Sequence, residues 1–222
     1  MRDPLLQLAR PPSRRHRGYA LRSARCLYHL GVSTPESITR FRSDLTDLDN
    51  ADMVAKHILS GGCHALDDDL HWRLRRQVAM SLSVYPNQVV VVGSARLGFS
   101  IVERKLLQPF SDSSDIDVAI VSSELFDEYW QLAYQYEREG GYWDRANDFK
   151  RYLFRGWMRP DLLPSTPAFE PRKRWWDLFL ALTASGTYGP YKVRGGLYKS
   201  WFFLNSYHER SIAACRAALQ RQ

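Results

Sequence analysis

Residues 89–121 read VVVVGSARLGFSIVERKLLQPFSDSSDIDVAIV, and this stretch decides the fold. Its leading valines predict a short strand, Gln88 to Val92, that is buried on both faces. Gly93 and Ser94 then form a tight turn, because glycine permits a sharp change of chain direction. A second apolar run, Asp115 to Val121, predicts another strand that opens with two carboxylates. The stretch therefore predicts two strands whose ends carry a glycine turn and a pair of acids.

The two acids, Asp115 and Asp117, point to a metal site. Side chains alternate between the faces of a strand, so these carboxylates share one face at about 6–7 Å from each other. Mg²⁺ prefers a few carboxylates together with phosphate oxygens and water. The spacing therefore predicts a site for Mg²⁺ or Mn²⁺, with Asp115 and Asp117 as both metal ligands and catalytic residues.

The turn at Gly93 and Ser94 predicts the phosphate-binding half of the same site. Backbone N–H groups exposed at such a turn, together with a serine hydroxyl, can hold triphosphate oxygens. Arg96, Lys105 and Ser114 are the further candidates for nucleotide binding. The alternative for Lys105 is a solvated lysine in the linker between the strands.

The residues Gly93, Ser94 and Gly98, followed by Ser114 to Val118 (GSxxxG and SDIDV), resemble the nucleotidyltransferase superfamily typified by DNA polymerase beta. The resemblance covers about residues 88–130. It implies a small mixed sheet with helices on one side, and metal-dependent transfer of a nucleoside monophosphate from an NTP to an acceptor. By position, it assigns Gly93 and Ser94 to the phosphate turn and Asp115 and Asp117 to the metal.

Two departures from the family pattern bear on activity. The gap between the two motifs is long, so residues 98–112 form an insertion or a lid-like loop. A third carboxylate, which many members carry on a later strand, is absent from the best later strand, Tyr191 to Lys199. Asp161, in a Pro-rich loop, and Asp177, on a Trp-flanked helix, are the possible third carboxylates. The alternative roles are a loop cap for Asp161 and a surface or capping charge for Asp177.

The chain of 222 residues suits one α/β (α+β) unit built on a small mixed sheet. The predicted organisation is a disordered basic arm (1–18), a helical N-terminal extension (19–85), and a nucleotidyltransferase-like domain with a helical C-terminal segment (86–222). Helices are predicted at 19–30, 34–45, 49–59, 70–82, 124–138, 142–154, 172–182 and 201–219. Residues 156–171 are predicted to form an extended loop.

The charge of the chain is concentrated at its start. Residues 1–25 contain seven arginines against Asp3, and so account for six of the seven net positive charges. Such an arm could bind nucleic acid or another polyanion, and the alternative is a solvated tail. Whether this arm belongs to the native protein is also open, because a wrongly chosen start codon would add an Arg-rich stretch of this kind.

Three function classes remain open from the sequence. The first is a metal-dependent nucleotidyltransferase acting on an unknown acceptor, which could be a protein, a nucleotide, an RNA or a small molecule; the resemblance includes small bacterial members linked to phage defence or toxin–antitoxin systems. The second is a catalytically silent protein of the same fold that binds a partner protein. The third is a nucleic-acid-binding module that uses the basic arm.

Compartment is predicted from the cysteines and the hydropathy. Cys26, Cys63 and Cys215 are odd in number and lack metal-ligand spacing, which favours reduced thiols in a cytoplasmic protein. No run of about 18 apolar residues exists, so no membrane association is expected.

Overall fold

The computed structural model describes residues 34–167 and 169–221; the predicted arm and the predicted helix at 19–30 lie outside this range. The helices are α1 (Thr34–Asp47), α2 (Asn50–Met53), α3 (Asp68–Leu82), α4 (Gly93–Leu97), α5 (Ser123–Arg138), α6 (Ala146–Phe154), α7 (Glu170–Ala184) and α8 (Trp201–Gln220). The strands are β1 (Val89–Val92), β2 (Asp115–Val121), β3 (Trp157–Met158) and β4 (Lys192–Tyr198).

The strands form one mixed sheet in the order β1-β2-β4-β3. β1 runs antiparallel to β2, with Val92 opposite Asp117. β4 runs parallel to β2, with Arg194 opposite Asp117, and β3 lies antiparallel along the outer side of β4. The small mixed sheet expected from the sequence is therefore confirmed, and the nucleotidyltransferase fold itself stays a hypothesis.

Alternation along the strands divides the core into two layers. We call the face that carries Asp115 and Asp117 the aspartate face. Helices α1, α2 and α8 pack on it, through side chains such as Phe41, Met53 and Leu204. The other face packs against α3, α5 and α7. The resemblance implied helices on one side of the sheet only, and this expectation is wrong for this chain. Both faces of the strands are apolar beyond the two aspartates, so helices cover both.

Helix starts follow capping residues that are visible in the sequence. The Asp67 carboxylate accepts from the N–H of Leu70 at the start of α3, and the Ser122 hydroxyl accepts from the N–H of Leu125 at the start of α5. Asp49 caps α2 in the same way. Each cap satisfies an N–H group that the helix leaves unpaired, a contribution of about 1 kcal/mol.

Four segments differ from the sequence-based expectation. Residues 54–59 continue α2 as a π-helix. After β1 the chain forms the short helix α4, where only a turn was predicted. α6 begins at Ala146, four residues later than expected, and the predicted loop at 156–171 contains β3. β3 pairs with β4 for only two residues, which is too short for a period-2 pattern to be visible.

The N-terminal helices belong to the same two cores as the sheet. Leu74 and Val78 of α3 pack with Ile116 and Val118, while Met53 and Ile58 pack with residues of α8. Among the described residues, no helix is both long and apolar enough to cross a bilayer.

Candidate functional site

The two aspartates lie together at the start of β2, on the aspartate face. Asp115 is half-buried, and its Oδ2 lies 3.1 Å from Nε of Arg194 on β4. Asp117 remains accessible to solvent and is aligned with Arg194 across the parallel pair. The arrangement places two carboxylates and one guanidinium on adjacent strands.

Gly93 brings the end of β1 against Asp117. Its φ is +69°, and a Cβ atom at this position would lie 3.2 Å from Oδ2 of Asp117. Glycine is needed here on both counts, since left-handed backbone disfavours other residues and the carboxylate leaves little space. The half-buried Ser94 follows as the second residue of α4. The structure therefore brings the glycine turn close to the Asp117 carboxylate.

An alanine at position 93 tests this close approach. Gly93→Ala is expected to lower the free energy of unfolding by about 1–2 kcal/mol from the backbone alone, with a further loss from crowding against Asp117. Gly186→Ala is the matched control, because Gly186 has φ +62° and open space around its Cβ position. Chemical denaturation of both variants should show the larger loss at position 93; equal losses would contradict the close approach.

The environment of Asp117 favours its protonated form. Removal of the carboxylate from water is the larger cause and the negative charge of Asp115 the smaller one; together they raise the pKa of Asp117 to about 6. The positive charge of Arg194 lowers this pKa slightly. The carboxylate keeps contact with solvent, so burial and repulsion both act on a partly screened group. A bound cation would reverse this preference, because it stabilises the ionised form.

The raised pKa of Asp117 predicts a pH-dependent difference in stability. The folded protein binds the proton of the Asp117 carboxyl more tightly than the unfolded chain does. The stability that this proton contributes is therefore fully present below pH 3.8 and is lost as pH rises through about 6. Asp117→Asn should therefore be more stable than the native protein above pH 6, by about 1 kcal/mol after allowance for solvent screening. The difference should vanish near pH 4.

Thermal unfolding of both proteins between pH 4 and 8 measures this difference. The comparison is needed because buried His208, whose pKa burial lowers to about 4, changes stability in the opposite sense over the same range. That contribution is common to both proteins and cancels. A difference that stays constant from pH 4 to 8 would contradict the prediction.

Arg96 lies away from the aspartates. It is buried, and its guanidinium donates to the carbonyl oxygens of Ser60 and Gly61, the latter at 2.7 Å. These bonds hold the chain after the π-helix against α4. The donors of Arg96 therefore face upstream backbone, and the structure does not place them at the aspartates, where the sequence predicted a nucleotide-binding role.

The other two nucleotide-binding candidates occupy the segment between β1 and β2. The Ser114 hydroxyl accepts from the N–H of Ser111, which shapes the turn just before Asp115. Lys105 is exposed at the end of a 3₁₀ turn. The segment folds back on itself through a bridge between Phe99 and Pro109, so it is an ordered excursion from the sheet.

The possible third carboxylates lie in different places. Asp177 is on α7, which covers the face opposite the aspartates, and it pairs with Lys173 at 2.8 Å. Asp161 accepts two hydrogen bonds from Arg159, at 3.1 and 2.8 Å. The guanidinium of Arg159 in turn lies over the ring of Trp157 on β3. Asp161 is thus linked to the aspartate face only through Arg159 and Trp157, because the turn that carries it, Pro160–Leu162, packs Leu162 into the opposite layer.

An aromatic wall beside Asp117 was not expected from the sequence. Trp157 and Tyr198 stack in parallel planes, and Tyr207 of α8 packs against both rings. The charge of Asp117 adds to burial in raising the pKa values of Tyr198 and Tyr207, which places both phenols within its electrostatic reach. No spacing signal could have found this wall, because its members come from three elements.

Metal-ligating side chains are few in this site. Across residues 34–167 and 169–221, no group of three or more His, Cys, Asp or Glu side chains could hold a metal ion. The site itself provides two carboxylates, those of Asp115 and Asp117. The residue opposite Asp117 on β4 is Arg194, which cannot ligate a metal ion.

No family model, curated protein or solved structure matches the chain. Function must therefore be inferred from the chemistry of the site itself.

Proposed function

We propose that the chain binds a nucleoside triphosphate with a divalent cation at Asp115 and Asp117, and transfers the nucleoside monophosphate to an acceptor, with pyrophosphate as the leaving group. The observation that carries the proposal is the approach of Gly93 to Asp117, which sets a glycine-serine turn beside two carboxylates on one strand face. A nucleotide and a cation need these two halves within one site. The resemblance to nucleotidyltransferases supports the same assignment.

The donor set suits a hard cation. Carboxylate oxygens from Asp115 and Asp117 would hold Mg²⁺ or Mn²⁺, with phosphate oxygens and water as the remaining ligands. A bound cation there supplies charge neutralisation for the phosphates and for the leaving group. The raised pKa of Asp117 means that binding is opposed by protonation below about pH 6.

The chain's own residues then have separate tasks. Gly93 and Ser94 contribute backbone N–H groups and a hydroxyl toward phosphate oxygens. Arg194 holds the Asp115 carboxylate in place and adds a positive charge near the phosphates. A carboxylate that could accept the proton of an acceptor hydroxyl is not supplied by β4. Without such a base, transfer would lose a factor of about 10²–10⁴.

A second candidate function is favoured by Arg194. Its guanidinium pairs with Asp115 from β4, the later strand on which the resemblance would place a third carboxylate. A protein built in this way would bind the nucleotide, turn it over slowly or not at all, and regulate a partner protein. The two candidates share the binding step and differ only in transfer.

Two measurements on the full chain separate these candidates. Equilibrium binding of labelled NTPs, with Mn²⁺ or with a chelator, tests the shared step; binding that is absent or insensitive to chelation would overturn both. Incubation of the same mixtures with candidate protein, nucleotide and RNA acceptors, followed by detection of transferred label, tests the enzyme. Metal-dependent binding without transfer favours the regulatory protein.

A further inference from the structure

A pocket lies at the open edge of the sheet, along β1. It has a volume of about 120 Å³, and we call it the edge pocket; among its lining residues are Gly61, His71, Arg75, Val89, Arg96 and Trp201. Its strand lining, Val89 and Val90, lies about 7–10 Å along β1 from Val92, which meets Asp117, and neither the glycine turn nor either aspartate lines it. The edge pocket is therefore separate from the site described above.

Two guanidinium groups give the edge pocket its chemistry. Arg75 of α3 donates through Nε to the carbonyl oxygen of Val89 at 2.8 Å and through Nη2 to that of Pro86 at 2.9 Å. Arg96 is held in the same way by the carbonyl oxygens of Ser60 and Gly61. Because neutral backbone groups hold both side chains, the two positive charges are fixed in position without being neutralised.

The charges in the edge pocket are unbalanced. Within the part of the chain that the structure describes, neither Arg75 nor Arg96 forms an ion pair with a carboxylate. Burial, followed by the charges of Arg75 and Arg96, lowers the pKa of His71, and Asp68 is the acid that acts in the opposite sense. Two like charges held close together are unfavourable unless an anion offsets them.

We propose that the edge pocket binds a phosphate group, either as inorganic phosphate or as a phosphate monoester. The cavity has room for several water molecules, which is enough for one tetrahedral oxyanion. Guanidinium groups suit phosphate because their charge persists at all physiological pH values. Arg75 uses Nε and Nη2 for the carbonyl oxygens of Val89 and Pro86, which leaves its Nη1 to donate to the anion, while Arg96 contributes its charge. The half-buried His71 adds a further ring nitrogen, and the partly exposed indole of Trp201 borders the opening.

The test is a titration of the full chain with inorganic phosphate, against chloride at matched ionic strength, followed by ¹H–¹⁵N NMR. Saturable shifts at the amides of Gly61 and Val90 and at the Trp201 indole are expected. Arg75→Gln should weaken this binding at least tenfold, while Arg73→Gln, an exposed arginine two residues away on α3, should leave it unchanged. Shifts that are absent at millimolar phosphate in the native protein would overturn the proposal without any variant.

Two further arms locate the binding and its source. The phosphate titration, carried out without metal, is repeated on Asp115→Asn/Asp117→Asn. The shifts at the edge pocket should persist in this variant. Loss of these shifts would assign the phosphate to the aspartate site and refute a second site. A parallel titration with adenosine 5′-monophosphate compares a monoester with the free ion. Binding of either source at these amides supports the proposal, and binding of neither refutes it, whatever the fate of the proposed nucleotide transfer.

Discussion

Replacing Asp115 and Asp117 together by asparagine is expected to weaken Mn²⁺-dependent NTP binding by at least about 100-fold. Each substitution removes a charged ligand, and contacts to charged groups are worth about 1.5–3 kcal/mol apiece. The loss of both corresponds to two decades or more in the dissociation constant. Label transfer, where the native protein shows it, should fall below detection in the same variant.

The fold should survive this double substitution. Asparagine has nearly the shape of aspartate, and the exchange removes both the cost of burying the Asp117 charge and its repulsion by Asp115, which together raise the pKa of Asp117. Arg194 loses its partner on Asp115, but its side chain is 59% exposed and can be solvated. Circular dichroism should therefore match the native protein, and thermal unfolding above pH 6 should show no loss of stability, so that lost binding reports on the site.

Asp177→Asn is the matched control for the double variant. It makes the same chemical change on α7, where Asp177 is exposed and paired with Lys173 across the sheet from the site. NTP binding should be unchanged in this control. Native-like binding by Asp115→Asn/Asp117→Asn, measured by titration with a fluorescent NTP and Mn²⁺, would exclude the proposed metal and nucleotide site.

Much of the framework was predictable because local signals agree with one another there. The bounds of β2 match the prediction residue for residue, since the aspartates mark its start and the capping Ser122 follows its end. The strand predicted at Tyr191 to Lys199 forms one residue shorter at each end, at Lys192–Tyr198. These features depend on side-chain alternation and capping, which operate over a few neighbouring residues.

What could not be predicted depends on contacts between distant segments. The direction of the Arg96 side chain is set by carbonyl groups 35 and 36 residues upstream. The local sequence motif contains no signal that these groups lie within hydrogen-bonding distance of Arg96. The pairing of Arg194 with Asp115 requires β4 to lie next to β2, which a parallel crossover decides. The aromatic wall at Trp157 depends on a two-residue strand. Long-range geometry therefore governs the parts of the site that decide between catalysis and binding.

Arg194→Asp is expected to raise the affinity for Mn²⁺ by at least about tenfold. Arg194 shares the aspartate face with Asp115 and Asp117 and is aligned with Asp117, so the substitution removes a competing cation and adds a third carboxylate beside the pair. Affinity for hard cations rises with the number of carboxylate ligands. Without metal, the three acids should repel one another and lower the midpoint of thermal unfolding, and saturating Mn²⁺ should restore it.

Arg73→Asp controls for the change in net charge, because Arg73 is exposed on α3, on the other side of the sheet. Arg194→Ala separates the two contributions: removal of the cation alone should raise Mn²⁺ affinity by a smaller factor than Arg194→Asp. Titrations followed by electron paramagnetic resonance of free Mn²⁺ give the affinities directly. If Arg194→Asp binds Mn²⁺ no more tightly than Arg73→Asp, then Arg194 does not occupy metal-binding space. If it binds more tightly and label transfer rises with it, the guanidinium of Arg194 is the group that restrains catalysis in the native chain.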